Sequence, residues 1–359
     1  MKSSFFRLMP ALLASIGFTS VSAMANGLPS PSSLVGLEPP AEDSSSPQEE
    51  STEGRPTEGG PPQGGPPREF AKFGERIPNR SYFAAGYIHE FSADFSDSGS
   101  VSVNRGFASA GVRLGLGEDV PLQTSLGLAW SGDWYSFSDN SPLSPVAGVK
   151  PWTDIQAIAI LSRFEWEINR NWRMFGGVSF LFAGAPSVSV EDSFTAGGNI
   201  GVAYAFNQKL RIGGGVLLSS QLEDSLLVIP LVVVYWELAD DLVLSNVLGP
   251  ETYPTGAGVE FAWRPTKTTE LAIGSRYENR RFRLDDSGPG YLANGVGQDT
   301  GFPAWIRSTW RFEGGFRLDV VGGVSLFNTY SVDDQNGNRQ AQNDLDPAPF
   351  IGIFGSYRF

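Results

Sequence analysis

The sequence predicts an all-β chain, a closed antiparallel transmembrane β-barrel of about fourteen strands, with twelve as the nearest alternative, preceded by a disordered N-terminal segment. Three observations predict it. After Ser81, apolar and ionisable residues alternate with a period of two through most of the chain. The last residues, Phe350-Ile-Gly-Ile-Phe-Gly-Ser-Tyr-Arg-Phe359, alternate in the same way and close on an aromatic. The N-terminus reads as an export leader. Closure follows from the solvent: hydrocarbon offers no hydrogen bonds, so a strand can satisfy its backbone there only in a sheet without edges.

The leader is assigned to residues 1–25. Lys2 and Arg7 give a positive start, Leu8 to Phe18 an apolar stretch, and Ala23-Met-Ala25 a small-x-small cleavage site. The apolar run holds Pro10 and falls short of the roughly 20 residues that a spanning helix needs. Cys is absent from the composition, which removes the acceptor for a lipid anchor, any disulfide and any thiolate metal site.

Residues 26–78 form the second segment. They carry Glu-Glu, Pro-Ser and Gly-Gly-Pro-Pro runs with almost no aromatic or β-branched residue before Phe70. Such a stretch cannot bury enough apolar area to offset its ordering entropy, so disorder is expected, with its prolines leaning toward extended polyproline II. Either it tethers the barrel to a periplasmic partner or it is a spacer. The net charge of the whole chain is −13, which excludes a basic nucleic-acid surface.

Residues 79–359 are the barrel. Short polar turns are expected at 116–119, 169–171, 207–209, 239–241, 265–268 and 313–315, most of them flanked by an aromatic or leucine. Longer connections are expected at 139–151, 285–300 and 331–346. Short turns at one rim and long loops at the other are the habit of outer-membrane barrels. Trp166, Trp172, Phe206, Trp236, Trp263 and Phe312 all lie near a short turn, where an interfacial aromatic girdle belongs. Leu226 to Trp236 departs from the alternation, with Pro230 at its middle and Leu231 and Val233 on the inner set. A bulge or local defect near Pro230 is expected, since proline removes a ladder donor.

Periodicity also assigns faces. Ile158, Ile160, Phe164, Trp166 and Ile168 oppose Arg163, Glu165 and Glu167; Ile306, Trp310 and Phe312 oppose Arg307 and Arg311. By the same logic Arg264, Glu260, Arg276, Glu278, Arg280, Arg317 and Asp319 face the lumen, with Arg173, Arg211, Glu237, Glu270 and Glu313 among their neighbours. These side chains are the candidates for a solute pathway. They are equally suited to pairing among themselves across strands as a stiffening ladder. Ile351, Ile353, Tyr357 and Phe359, alternating to the terminal aromatic, form the candidate barrel-assembly signal.

Other chemistries fail on inspection. His89, the single histidine, is adjacent to Glu90, so the two point to opposite faces of a strand and cannot act as a dyad. Gly213-Gly-Gly215 leads into Val216 and Leu217, without the Lys-Ser or helix start of a phosphate loop. Asp333-Asp-Gln-Asn-Gly337 misses calcium-loop register, because Val332 stands where the first ligand belongs. No enzyme activity, cofactor or metal is expected.

Arg276-Tyr-Glu-Asn-Arg-Arg-Phe-Arg-Leu-Asp-Asp286 with its Gly-rich sequel, and Asp346-Pro-Ala-Pro-Phe350 running into the last strand, resemble a family of bacterial outer-membrane β-barrel proteins known as a domain of unknown function. The resemblance covers roughly residues 80–359 and implies a fold and a location in the bacterial outer membrane. The expected partners are outer-membrane lipid, the barrel-assembly machinery and whatever the linker binds. Two functions stay open: passive passage of small polar solutes through a charge-lined lumen, or a closed barrel whose loops or linker bind a partner.

Overall fold

The computed structural model describes residues 80–115, 122–247 and 257–359, together with the dipeptide Ser20–Val21. The expected linker over 26–78, the leader apart from that dipeptide, and the turn at 116–119 lie outside the described residues.

The barrel wall runs β1 (Arg80–Asp94), β2 (Ser100–Gly115), β3 (Leu122–Phe137), β4 (Asp154–Glu167), β5 (Trp172–Gly184), β6 (Phe194–Ala205) and β7 (Leu210–Gln221). It continues with β8 (Asp224–Ala239), β9 (Leu242–Val247), β10 (Ala257–Trp263), β11 in two pieces (Thr269–Arg276 and Glu278–Arg283), β12 (Val296–Arg311), β13 (Phe316–Asp333) and β14, also in two pieces (Arg339–Leu345 and Ala348–Arg358). Each strand pairs antiparallel with the next, and β14 returns to β1 from Phe350↔Glu90 to Arg358↔Tyr82. The described residues thus form a closed 14-strand antiparallel barrel. No helix among them is long and apolar enough to cross a membrane.

The alternation read from sequence maps onto the two faces. Leu126, Leu128, Ile158, Ile160, Val178, Phe180, Ile200, Ile273 and Ile306 are exposed on the outer surface, while Arg163, Glu165, Glu260, Arg307 and Asp319 are buried inside. An apolar exterior around an ionic interior inverts a water-soluble sheet and suits a lipid solvent. Hairpin chemistry explains the short-turn end. The Asn169 side-chain oxygen accepts the backbone N–H groups of Asn171 at 2.9 Å and Trp172 at 3.0 Å, and Asn207 does the same for Lys209 and Leu210, each at 2.8 Å. At the Glu313-Gly-Gly315 turn, Gly314 and Gly315 take φ values of 82° and 89°, which side chains disfavour.

One expectation is corrected and one alternative decided. The loops placed at 285–300 and 331–346 shrink to 284–295 and 334–338, because β12, β13 and β14 extend through the flanking polar residues. Strands that project past a hydrocarbon layer have water outside them and need no apolar face, so their sequence mimics a loop. Of the alternatives at Pro230 the structure has the local defect and no bulge, since the residue pairs in register with Val216. The N–H of Val234, on the same edge of β8, is taken by the Asn246 side chain at 2.6 Å, and the described pairing with β9 stops at Tyr235↔Ser245. Proline's missing donor therefore faces an edge where the described ladder has already ended.

The largest apolar core lies inside the barrel at the loop end. Val101, Val103, Tyr135, Phe137, Phe282, Tyr330 and Val332 turn inward there, and the loops between β3 and β4 and between the strands β11 and β12 add Leu143, Trp152 and Leu292. Trp152 meets Phe137 edge-on at 5.1 Å between ring centres and Phe282 at 5.3 Å. The Tyr291 hydroxyl donates to the Leu143 carbonyl at 3.2 Å, which pins the two loops together.

Candidate functional site

The interior is ionic in three tiers. The tier beneath the aromatic core is built where β2, β3, β11 and β12 bring Arg105 opposite Asp133 and Arg280 opposite Asp299 in register. Arg105 reaches Asp299 at 2.8 Å, Glu90 at 3.2 Å and Asp133 at 3.4 Å. The Tyr135 hydroxyl donates to Asp299 at 3.0 Å. Arg276 and Arg280 both pair with Glu278. Beside this tier lies a cavity of about 170 Å³ lined by Arg105, Arg276 and Arg280 together with Ser109, Ala159 and Ser219.

The central tier is organised by Arg307, which is 1% exposed. Its guanidinium donates to Glu260 at 3.1 Å, Glu270 at 2.9 Å and Asp319 at 3.2 Å. Glu260 also accepts the Trp305 indole N–H at 3.1 Å, Glu270 is shared with Arg264 and Arg311 at 2.9 Å each, and Asp319 takes Arg317 at 2.8 Å. Three carboxylates thus meet four guanidiniums across strands β10 to β13.

The tier toward the short turns holds Arg163 on Glu165 at 2.6 Å, and Arg173 between Glu165 at 3.5 Å and Glu167. Tyr235 donates to Glu237 at 2.8 Å, and the Arg211 guanidinium lies over the Tyr235 ring at 5.5 Å. The Arg211 nitrogens have no hydrogen-bond partner among the described residues.

All eleven pathway candidates, Arg163, Glu165, Arg264, Glu260, Arg276, Glu278, Arg280, Arg307, Arg311, Arg317 and Asp319, sit within these tiers, and each is ion-paired. Glu313 does not join them; it lies exposed in the β12–β13 turn. Periodicity overlooked Glu90, Arg105, Asp133 and Asp299. They share their inward register with Val101, Val103, Tyr135 and Phe137, so a rule of polar-inside residues does not single them out. The available signal was Arg105 two positions from Val103. Ile351, Ile353, Tyr357 and Phe359 are exposed on the outer face of β14, beside the seam with β1. His89 and Glu90 diverge as expected: the imidazole Nδ1 lies 2.8 Å from the Asn104 side-chain oxygen, while Glu90 binds Arg105. Among the described residues no group of metal-ligating side chains could hold an ion.

Sequence comparison decides the family, because the profile of the domain of unknown function DUF6268 matches residues 158–353, more than half of the chain. The chain belongs to the DUF6268 family. The matched span covers the central and short-turn tiers and part of the loop-end tier, and leaves β1 to β3 outside. No curated protein matches the sequence. Among solved structures, the DUF6268 chain is similar to the COG4313 outer membrane channel of Pseudomonas putida F1, with 13% identity, a TM-score of 0.42, and 79% of this chain and 97% of that one covered. It is also similar to the toluene transporter TodX of P. putida, with 9% identity, a TM-score of 0.38, and 79% and 90% covered. The KdgM porin gives 9% identity, a TM-score of 0.30, and 77% and 99% covered.

Proposed function

We propose that this DUF6268 protein is a passive outer-membrane channel for small polar solutes, gated at its loop end. The observation that carries the reading is a closed barrel whose outer wall is apolar and whose inner wall bears paired arginines and carboxylates along its length, with a cavity beside the loop-end tier. Charges on an inner wall shape the field along a pathway, so solutes are sorted by size and sign. The candidates for that sorting are Arg163, Glu165, Arg264, Glu260, Arg276, Glu278, Arg280, Arg307, Arg311, Arg317 and Asp319. The short-turn rim, with the strand ends Arg80 and Arg358, faces the periplasm, and the loops face outside. The terminal alternation of Ile351, Ile353, Tyr357 and Phe359 is offered to the assembly machinery, and the linker serves as spacer or tether on the periplasmic side.

One observation favours a second reading. The aromatic core and its two loops fill the loop end of the lumen, which suits a barrel that stays closed and binds a partner through those loops. Single-channel recording in planar bilayers, with liposome swelling in sugars and amino acids, separates the two. Discrete conductance steps with swelling are expected. A purified barrel that inserts yet gives neither belongs to the second reading.

A further inference from the structure

Arg211 is buried without a hydrogen-bonded acceptor among the described residues. It is 2% exposed, and its Nε, Nη1 and Nη2 are buried without a hydrogen-bond partner. A guanidinium carries five donors, and leaving them unsatisfied out of water is unfavourable unless an acceptor arrives. The Tyr235 ring answers part of the charge and none of the donors. The neighbouring acids are already engaged: Glu237 by the Tyr235 hydroxyl, and Glu165 and Glu167 by Arg163 and Arg173. Arg173 itself has an Nη1 that makes no hydrogen bond.

Beside this cation the inner wall turns apolar. Pairing of β7 with β8 sets Arg211 against Tyr235, then Gly213 against Val233, Gly215 against Leu231 and Leu217 against Ile229, in steps toward the loop end. Phe175 joins Leu217, Ile229, Leu231 and Val233 in one buried cluster on the same inner face. Gly213 and Gly215 let the neighbouring strand approach closely, since a Cβ on the first would meet the Val202 carbonyl oxygen and one on the second that of Ile200. Two strand steps span about 7 Å, the length of one aromatic ring.

We infer that Arg211 and the Val233–Leu231 stripe form a binding subsite for a small organic monoanion, with a carboxylate head on the guanidinium and a compact apolar body along the stripe. This rests on the channel reading and deepens it, by naming a solute class. A carboxylate matches the planar guanidinium fork through two parallel hydrogen bonds, which neither a neutral amide nor a cation supplies.

Equilibrium dialysis of radiolabelled benzoate against the purified full-length protein in uncharged detergent tests it. Saturable binding is expected for the wild type, at least ten-fold weaker for Arg211→Gln and intermediate for Arg211→Lys. Benzamide, of the same shape without the charge, should bind the wild type at least ten-fold more weakly, a comparison that needs no variant to fold. Absence of saturable benzoate binding, equal binding by Arg211→Gln, or equal affinity for benzamide overturns the inference. Dialysis does not depend on conduction. A barrel that conducts without binding benzoate loses the subsite and keeps the pathway, and one that binds without conducting does the reverse.

Discussion

Arg307→Ala should reveal whether the lumen is sealed or wet. In the wild type this guanidinium joins Glu260, Glu270 and Asp319, and its removal does not affect them equally. Glu270 keeps Arg264 and Arg311, and Asp319 keeps Arg317, whereas Glu260 keeps only the Trp305 indole N–H among these contacts. One buried carboxylate is therefore stranded. Removing one partner of a buried ion pair costs about 3–5 kcal/mol, because the other charge stays desolvated. At about 1.4 kcal/mol per decade, the unfolding equilibrium should shift by about two to three and a half orders of magnitude. Water reaching the network would screen it and reduce the loss to about 1 kcal/mol or less. Urea unfolding of the detergent-folded barrel, followed by tryptophan fluorescence, reads the difference. The double variant Arg307→Met with Glu260→Gln removes both charges and should recover most of the lost stability. A double variant as unstable as Arg307→Ala would refute the stranded-carboxylate argument.

Two further outcomes follow from the loop end. Trp152→Ala removes a ring that packs on Tyr135, Phe137, Phe282 and Tyr330, so the wild-type conductance should rise, or appear where it was absent, in bilayer recordings. An unchanged record would place the barrier elsewhere. Asp285, in the exposed loop after β11, is lowered to about 2 chiefly by the hydrogen bond from the Ser187 hydroxyl, assisted by Ser287. Its depressed folded value means that the loop-to-loop contact is intact above the ordinary carboxylate range and lost as pH falls through about 2. Ser187→Ala should move the Asp285 titration, read by carboxyl carbon chemical shift, upward toward the ordinary value.

Legibility in the sequence followed the solvent. Where β4, β10, β12 and β13 cross the apolar zone, one face meets hydrocarbon and the other meets charge, and a one-residue slip would reverse both, so the period-two pattern is unambiguous. That is why Arg163, Glu260, Arg307 and Asp319 were assigned inward from spacing alone and lie inward in the structure. Beyond the hydrocarbon the constraint disappears. The polar extensions Val296–Thr300 of β12 and Arg339–Leu345 of β14 read as loop because the outer face is free to be polar there. At the loop end the rule reverses again, with Tyr135 and Phe137 inside, and the acids and arginine among them escaped notice. Which arginine lacks a hydrogen-bonded acceptor is a matter of cross-strand register, so spacing places Arg211 in the lumen without showing that its donors are unmet among the described residues.

The same register accounts for the coexistence of a charged lumen and a stable wall. Successive inward positions on one strand lie about 7 Å apart, whereas residues opposed on adjacent strands have Cβ atoms about 5 Å apart, so long arginines find carboxylates sideways more readily than along their own strand. Arg105 opposite Asp133 and Arg280 opposite Asp299 illustrate it, and Arg307 spreads the scheme over Glu260, Glu270 and Asp319 on three other strands. A wall stitched in this way presents little net charge at each tier. Arg211 lies next to an apolar stripe without a hydrogen-bonded acceptor among the described residues, so under the proposed subsite its guanidinium should add a preference for organic anions to the sorting by the paired groups.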